Sequence, residues 1–334
     1  MIAEVCIFGA GPAGLAVASR LLEKGRSVAV WDCPPQKKPW GGESFTGDIR
    51  APLLALGCWE AFEKAGHVRG FERESAWGGE PQAQTSMLQP YGPLWHVDRD
   101  RFDEDLRSAV ARRGDVLNTF RKLHTIGRES GMWRLVLDGE TEIRAKYLVD
   151  ATGRSRVLAR RLSAKIQSDD RLLGLTTSVS RDETVARIRS MLIEATPFGW
   201  WYAAPTPKGH VLAFFTDADL APTDLRRRLR PVAANSAFTH TEAEQGWLPV
   251  GDACASHDPL CGWGVYRAMT NGLRAADAID AFLENGDCSQ LEDYRRHCWR
   301  QYDRYLEGLT RHYSIERRWP AAPFWERRQA LASA

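Results

Sequence analysis

The chain begins with an apolar run over 2–8, a glycine-rich break, a helical stretch and a second apolar run ending at Asp32. That pattern predicts strand, turn, helix and strand over 2–32. Residues 34–50 are rich in Pro, Gly and Lys and predict a long excursion. A helix is expected over 53–66, followed from about 68 to 97 by extended segments that carry Trp77 and Trp95 among many turn residues. Phe102, Leu106 and Val110 recur every four positions and predict one buried face of a helix over 99–113. Three extended segments follow at 116–128, 132–138 and 141–149, with Gly127, Gly131 and Gly139 at or near the breaks. They read as a β-meander that returns to the main sheet at Tyr147-Leu148-Val149. Residues 171–220 read mostly as strands, and a strand near 247–250 leads into Gly251-Asp252. Val265, Met269, Gly272, Ala276 and Ile279 mark the inner face of the next helix. Leu291, Tyr294, Cys298, Tyr302, Tyr305 and Leu309 mark that of a last helix over 290–313. No repeat or low-complexity stretch interrupts this order.

Composition narrows the functional classes. The 334 residues hold 45 basic and 43 acidic side chains, for a formal net charge of +2. That balance argues against a nucleic-acid binder, and Arg226-Arg227-Arg228, Arg317-Arg318 and Arg327-Arg328 read as solvated helix faces. No apolar run approaches the ~20 residues that span a bilayer, so no membrane partner is expected. The first strand is expected to start at residue 2, so no signal peptide is expected ahead of it. The seven cysteines are odd in number and contain no CxxC pair, so a reducing cytoplasmic location is expected. The eight histidines show no HExxH or Cys/His cluster, so no metal is expected. There is no GxSxG elbow. The chemistry therefore falls to an organic cofactor.

Gly9-Ala10-Gly11-Pro12-Ala13-Gly14 supplies a dinucleotide fingerprint, continued by Ala18, Leu21, Gly25, Val28, Val30 and Asp32. Gly9 permits the tight turn out of the strand, Gly11 lets a pyrophosphate approach the backbone, and Gly14 lets the helix lie close to the sheet. The helix N-terminus offers free N–H groups to the phosphates, and Asp32 can accept from ribose hydroxyls. The fingerprint alone does not separate FAD from NAD.

Two further motifs bear on that choice. Leu148-Val149-Asp150-Ala151-Thr152-Gly153-Arg154-Ser155, then Trp247-Leu248-Pro249-Val250-Gly251-Asp252-Ala253 with Asp258-Pro259-Leu260-Cys261-Gly262-Trp263-Gly264, resemble the flavin-dependent monooxygenases built like para-hydroxybenzoate hydroxylase. Flavin halogenases and geranylgeranyl-type reductases are relatives of that family. Asp98-Arg99 with Phe102-Asp103 resembles its arginine-bearing helix start. The resemblance runs over nearly the whole chain. It implies an α/β fold: a Rossmann-like FAD domain (1–67, 96–168 and 240–285), an inserted β-rich substrate domain (68–95 and 169–239) and a C-terminal helical segment (286–334). It implies that Asp252 binds the ribityl hydroxyls and that Pro259, Gly262 and Gly264 lie against the isoalloxazine ring. Arg99 is then near the flavin, and Asp150 and Gly153 near the pyrophosphate. NAD(P)H is the implied electron donor and O2 the co-substrate.

A compact subgroup is resembled more closely, through Trp40-Gly41-Gly42-Glu43-Ser44, Ser75-Ala76-Trp77-Gly78, Tyr91-Gly92-Pro93 with Trp95-His96, Gly199-Trp200-Trp201-Tyr202, and Glu316-Arg317-Arg318-Trp319-Pro320 through Phe324-Trp325. It includes enzymes that oxidise a protein-borne tryptophan to build tryptophylquinone cofactors. The reaction expected is hydroxylation of an aromatic ring, an indole on a peptide or protein being favoured. A small free phenol is the alternative. Glu43 and His96 are the candidate catalytic residues. Trp201, Tyr202 and Trp263 are candidate substrate contacts, beside His257. Core packing is the plain alternative for Trp201 and Tyr202, and a satisfied buried imidazole for His96. Trp77, Trp95 and Trp200 are also expected to face the substrate. The stretch 225–236 is shorter than the family pattern and predicts a trimmed lid. Flavin halogenases of this fold use a lysine after the first βαβ unit, whereas no lysine lies between Lys64 and Lys122 here. Rival readings are a halogenase, a prenyl-type reductase and a flavin-binding partner without turnover.

Overall fold

The computed structural model describes residues 1–34, 42–85, 90–180 and 190–330. Trp40 and Gly41 of the expected subgroup motif lie outside the described residues. The fold is mixed α/β, with a Rossmann-like sheet at its centre.

Four parallel strands stand in the order Leu117–Thr119, Val28–Asp32, Ile2–Phe8 and Thr141–Asp150. The last is long enough to serve two partners on one edge. Its first half pairs antiparallel with Met132–Leu137, which continues to Leu123–Glu129. Its end, Leu148 to Asp150, pairs parallel with Trp247–Pro249. The strand tips that carry Gly9, Asp150 and Gly251 therefore end side by side. The adjoining helices Pro12–Glu23 and Gly264–Asn285 pack face to face through small residues. A Cβ on Gly272 would stand 2.7 Å from the Ala13 carbonyl oxygen, a separation only glycine allows.

The β-rich part is a seven-stranded sheet in the order Arg230–Ala233, Leu172–Ser180, Gly209–Asp217, Gly199–Thr206, Met191–Thr196, Glu72–Ala76 and Gln82–Thr85. A separate three-stranded sheet, Gly42–Phe45, Leu94–Asp98 and Val68–Gly70, joins it to the Rossmann-like part. So 68–70 pairs with 94–96, whose strand pairs on its other side with the excursion strand, and only the middle of 68–95 enters the large sheet. The helix expected over 53–66 is two short helices, Arg50–Ala55 and Trp59–Lys64, because Gly57 turns the chain at φ +68°. The stretch 225–236 forms the end of the helix Thr223–Arg228 and an edge strand.

The helices Ser289–Ile315 and Pro323–Ala330 close over the large sheet. Trp325 is fully buried and donates its indole N–H to the Thr196 carbonyl at 2.7 Å. Arg328 pairs with Asp217 at 2.8 Å. Among the described residues no helix is long and apolar enough to cross a membrane, and no cluster of side chains could hold a metal ion.

Candidate functional site

The cradle at the strand tips follows from the glycines. Gly9 sits at φ +105°, and a Cβ there would meet the Ala151 carbonyl oxygen at 2.2 Å, so the first turn and the Asp150 loop are in backbone contact. At Gly14 a Cβ would stand 2.0 Å from the Gly9 carbonyl oxygen. Around Gly11 the reverse holds, for nothing lies within 4 Å of an added Cβ. Pro12 and Ala13 open the helix, whose start has no side-chain cap and no acidic residue in its first turn. Gly251 rests against Ala13, and a Cβ there would fall 2.7 Å from the Ala13 side chain. Beyond it, Pro259, Gly262 and Trp263 are exposed, and Gly262 and Gly264 again have open space where a Cβ would be. The helix starting at Gly264 is likewise uncapped by any side chain. Two bare helix starts and three side-chain-free positions facing open space fit an extended, anionic, flat-ringed cofactor such as FAD.

The acidic residues of the cradle have partners. Asp32 accepts from Arg107 at 2.5 Å. Asp252 pairs with Arg154 at 3.3 Å, and Arg154 also donates to the Asn235 and His257 carbonyls. Asp150 is buried and accepts from the Thr152 N–H and hydroxyl and from the Ala159 N–H, at 3.1, 2.6 and 2.9 Å. Burial pushes its carboxyl up against the pull of those bonds. Its carboxylate holds the loop that carries Gly153.

Toward the large sheet, Arg99 is buried between Glu43 at 2.6 Å and Asp103 at 3.2 Å. Next along the excursion strand, the Ser44 hydroxyl bonds both His96 Nδ1 at 2.7 Å and the Tyr202 hydroxyl at 2.8 Å. Burial lowers His96 to about 4, so its ring is neutral at ordinary pH, and burial raises Tyr202. Asp98 caps the helix Arg99–Ala111 through the Asp100 and Arg101 N–H groups and meets Lys208 at 2.7 Å. Glu43, Arg99, His96 and Tyr202 are thus brought together. Trp201 lies half-buried on the other face of its strand, against Phe214 with ring centroids 4.8 Å apart. Trp263 stands apart on the glycine loop, 44% exposed.

Two of the tryptophans expected to face the substrate do otherwise. Trp200 is 1% exposed, stacks on Phe215 and donates to the Tyr313 hydroxyl at 3.0 Å, so it is core beneath the C-terminal helix. Trp95 is buried against Phe62 and Trp59, with Arg69 over its ring. Trp77 packs edge-on to Trp200, Tyr313 and Trp325.

Comparison with known proteins decides the family. The profile described as tryptophan halogenase matches residues 71–333. The chain belongs to the tryptophan halogenase family. It is an FAD-dependent oxidoreductase-family enzyme. A putative FAD-dependent oxidoreductase, LodB of Marinomonas mediterranea, is 27% identical over 99% of this chain and 98% of its own length. Among solved structures, the myxobacterial chondrochloren halogenase CndH superposes with a TM-score of 0.85 at 19% identity, over 99% of this chain and 88% of that one. QhpG, a peptidyl tryptophan dihydroxylase essential for tryptophylquinone cofactor biogenesis, superposes with a TM-score of 0.78 at 20% identity, over 98% and 79%.

In this tryptophan halogenase family chain, several residues that shape the site escaped the sequence reading. Arg107 carries no sequence signal, and Arg154 stands in the motif around Gly153 with no role of its own there. Ser44 follows Glu43 in the excursion motif, with nothing in the sequence to give it a role. Asp258, at the start of the loop motif that ends at Gly264, is buried, with its carboxyl raised to about 6 by burial. Its partners, the Leu260 N–H and Tyr313, hold the loop that leads to Gly262. Its own N–H donates to the Tyr305 hydroxyl at 2.6 Å. His257, a candidate contact, is buried beside the Tyr305 ring and lowered to about 3 by burial.

Proposed function

We propose that this chain hydroxylates an aromatic ring, with the indole of a peptide- or protein-borne tryptophan as substrate, using FAD reduced by NAD(P)H. In the balanced reaction one atom of O2 enters the ring as a hydroxyl and the other leaves as water, while the nicotinamide donor gives up two electrons. FAD, when bound, supplies that redox chemistry. The chain's residues bind, orient and exclude water. Gly9, Gly11, Pro12, Ala13 and Gly14 take the pyrophosphate, with Asp32 at the ribose and Asp252 at the ribityl hydroxyls. Asp150 and Gly153 fix the neighbouring loop, and Pro259, Gly262 and Gly264 face the ring system. Arg99 holds Glu43 in place, and Glu43 accepts the proton that the ring loses. Ser44 and neutral His96 orient the Tyr202 hydroxyl toward the substrate, and Trp263 on the glycine loop is the exposed ring left for a substrate to meet on the cofactor side.

The observation that carries this reading is the Glu43–Arg99 pair set beside the uncharged Tyr202–Ser44–His96 chain, with no lysine in 65–121. A carboxylate and neutral hydroxyls suit removal of a proton from a hydroxylated ring. The shared fold of a peptidyl tryptophan dihydroxylase supports the substrate class. Halogenation is the second reading, favoured by the family description and the halogenase neighbours. The test is turnover with O2 and NAD(P)H on a tryptophan-containing peptide beside a panel of free indoles and phenols. A gain of about 16 or 32 mass units on the peptide, for one or two transferred oxygen atoms, supports it. Coupled turnover of a free phenol with the peptide untouched overturns the substrate class.

A further inference from the structure

A second cavity lies behind the Gly251–Asp252 turn, away from the glycine cradle. Its volume is about 290 Å³, and none of Gly9, Gly11, Gly262 or Gly264 lines it. Small-molecule sites run from roughly 300 Å³ upward, so the space suits one ring or a fused pair and is too small for a dinucleotide.

Three aromatic rings form a corner in it. Phe238 meets Trp299 at 5.0 Å and 77°, and His240 at 5.1 Å and 67°, while His240 and Trp299 stand 5.4 Å apart. Trp299 is 37% exposed, so part of that large ring is left for a partner. Arg295, Arg296 and Arg300 bring positive charge to the same walls. Arg295 is matched by Glu292 and by Glu242 at 3.4 Å, and Arg296 by Asp293 at 2.8 Å. Among the described residues no ion pair engages Arg300. His240 is lowered first by burial and then by the charges of Lys165 and Arg295, with Asp169 and Glu242 pulling the other way. A neutral imidazole beside an unpaired guanidinium leaves a site that attracts an anion, and the ring corner packs a flat apolar body.

We propose that this cavity is a second ligand site, for a planar aromatic carboxylate whose ring packs on Trp299 and Phe238 and whose carboxylate meets Arg300. The wall also includes Pro249 and Cys254, which flank the cofactor-facing turn from behind, and Tyr294 donates to the Pro249 carbonyl at 3.1 Å. A ligand here therefore touches the back of the turn that carries Asp252.

The test is calorimetric titration of the full chain, with FAD added, using indolecarboxylate and naphthoate. Indole and acetate serve as probes of the ring alone and the charge alone. The arylcarboxylates should bind, with both single-feature probes weaker by at least about tenfold. Arg300→Ala and Trp299→Ala should each weaken arylcarboxylate binding by about tenfold, the size of a lost charge-assisted bond or ring contact. Both side chains are solvent-facing, so an unchanged unfolding midpoint checks that the fold is kept. No arylcarboxylate binding, or binding whose affinity either variant leaves unchanged, overturns the proposal. The titration needs no turnover, so its failure is separate from failure of the proposed reaction.

Discussion

Tyr313 donates its hydroxyl to Asp258 Oδ2 across 2.7 Å, tying the C-terminal helix Ser289–Ile315 to the loop that leads to Gly262 and Gly264. The same hydroxyl accepts from the Trp200 indole at 3.0 Å. One phenol therefore joins the large sheet, the last long helix and the cofactor loop. Tyr313→Phe should leave Asp258 and Trp200 each short of a buried partner and cost about 1–3 kcal/mol. Denaturant unfolding reads this directly, and an unchanged midpoint would show that the chain of bonds contributes nothing.

Stability should depend on pH in a way these buried groups set. His96 is lowered to about 4 and His257 to about 3. In both cases the unfolded chain binds the proton more readily, so their contribution is complete above about 6.5 and is lost as pH falls toward the folded values. Asp258, raised to about 6, acts in the opposite sense: its contribution is present below about 4 and is lost as pH rises through about 6. Asp150 is raised in the same sense as Asp258, but His67, His240, His297 and His312 are lowered by burial in the same sense as His96 and His257, so the histidines outnumber the aspartates and the thermal midpoint should climb between pH about 4 and 6.5. Asp258→Asn removes one opposing contribution and should make that climb steeper. A flat profile would contradict the burial of these imidazoles.

Gly11 and Gly14 separate cofactor binding from packing. Nothing lies within 4 Å of a Cβ at Gly11, whereas one at Gly14 would stand 2.0 Å from the Gly9 carbonyl oxygen. Gly11→Ala should keep the unfolding midpoint of the apoprotein and lower FAD affinity by about tenfold or more, because the methyl occupies the space the pyrophosphate needs. Gly14→Ala should destabilise the apoprotein itself by about 1–3 kcal/mol. FAD titration and apoprotein unfolding, run on both variants, check the contrast.

Glu43→Gln tests the proton acceptor. Arg99 keeps Asp103 at 3.2 Å, so the variant should fold and retain FAD. Turnover should fall by about a hundredfold, the lower end of what a positioned proton-transfer group contributes. Product formation per NAD(P)H consumed is the measurement, and an unchanged kcat removes Glu43 from the chemistry.

The legible parts of the sequence were those with local signals. The opening strand, glycine turn and helix at 2–23 are written in adjacent residues, and so is the meander around Gly131 and Gly139. The helix at 99–111 announced itself by Phe102, Leu106 and Val110, all buried as its spacing requires. Gly57 was a local signal that the longer helical pattern of 53–66 masked. Long-range closure was not legible. Alternation along Gly199–Thr206 shows that Trp200 and Trp201 face opposite ways, but not that a helix a hundred residues later covers Trp200. The same limit hid Ser44, whose two partners come from separate strands, and Asp258, whose partner Tyr313 arrives near the end of the chain.

The central claim is oxygen transfer to an aromatic ring, and isotopic oxygen tests it most directly. The chain, with FAD, NAD(P)H and a tryptophan-containing peptide, is supplied with heavy-isotope O2 in a buffer containing chloride and bromide. The product is then read by mass spectrometry. The account predicts a product whose added mass is heavy oxygen, taken from O2 and located on the indole ring, with no halogen isotope pattern. A chlorinated or brominated indole with no label from O2 would contradict it.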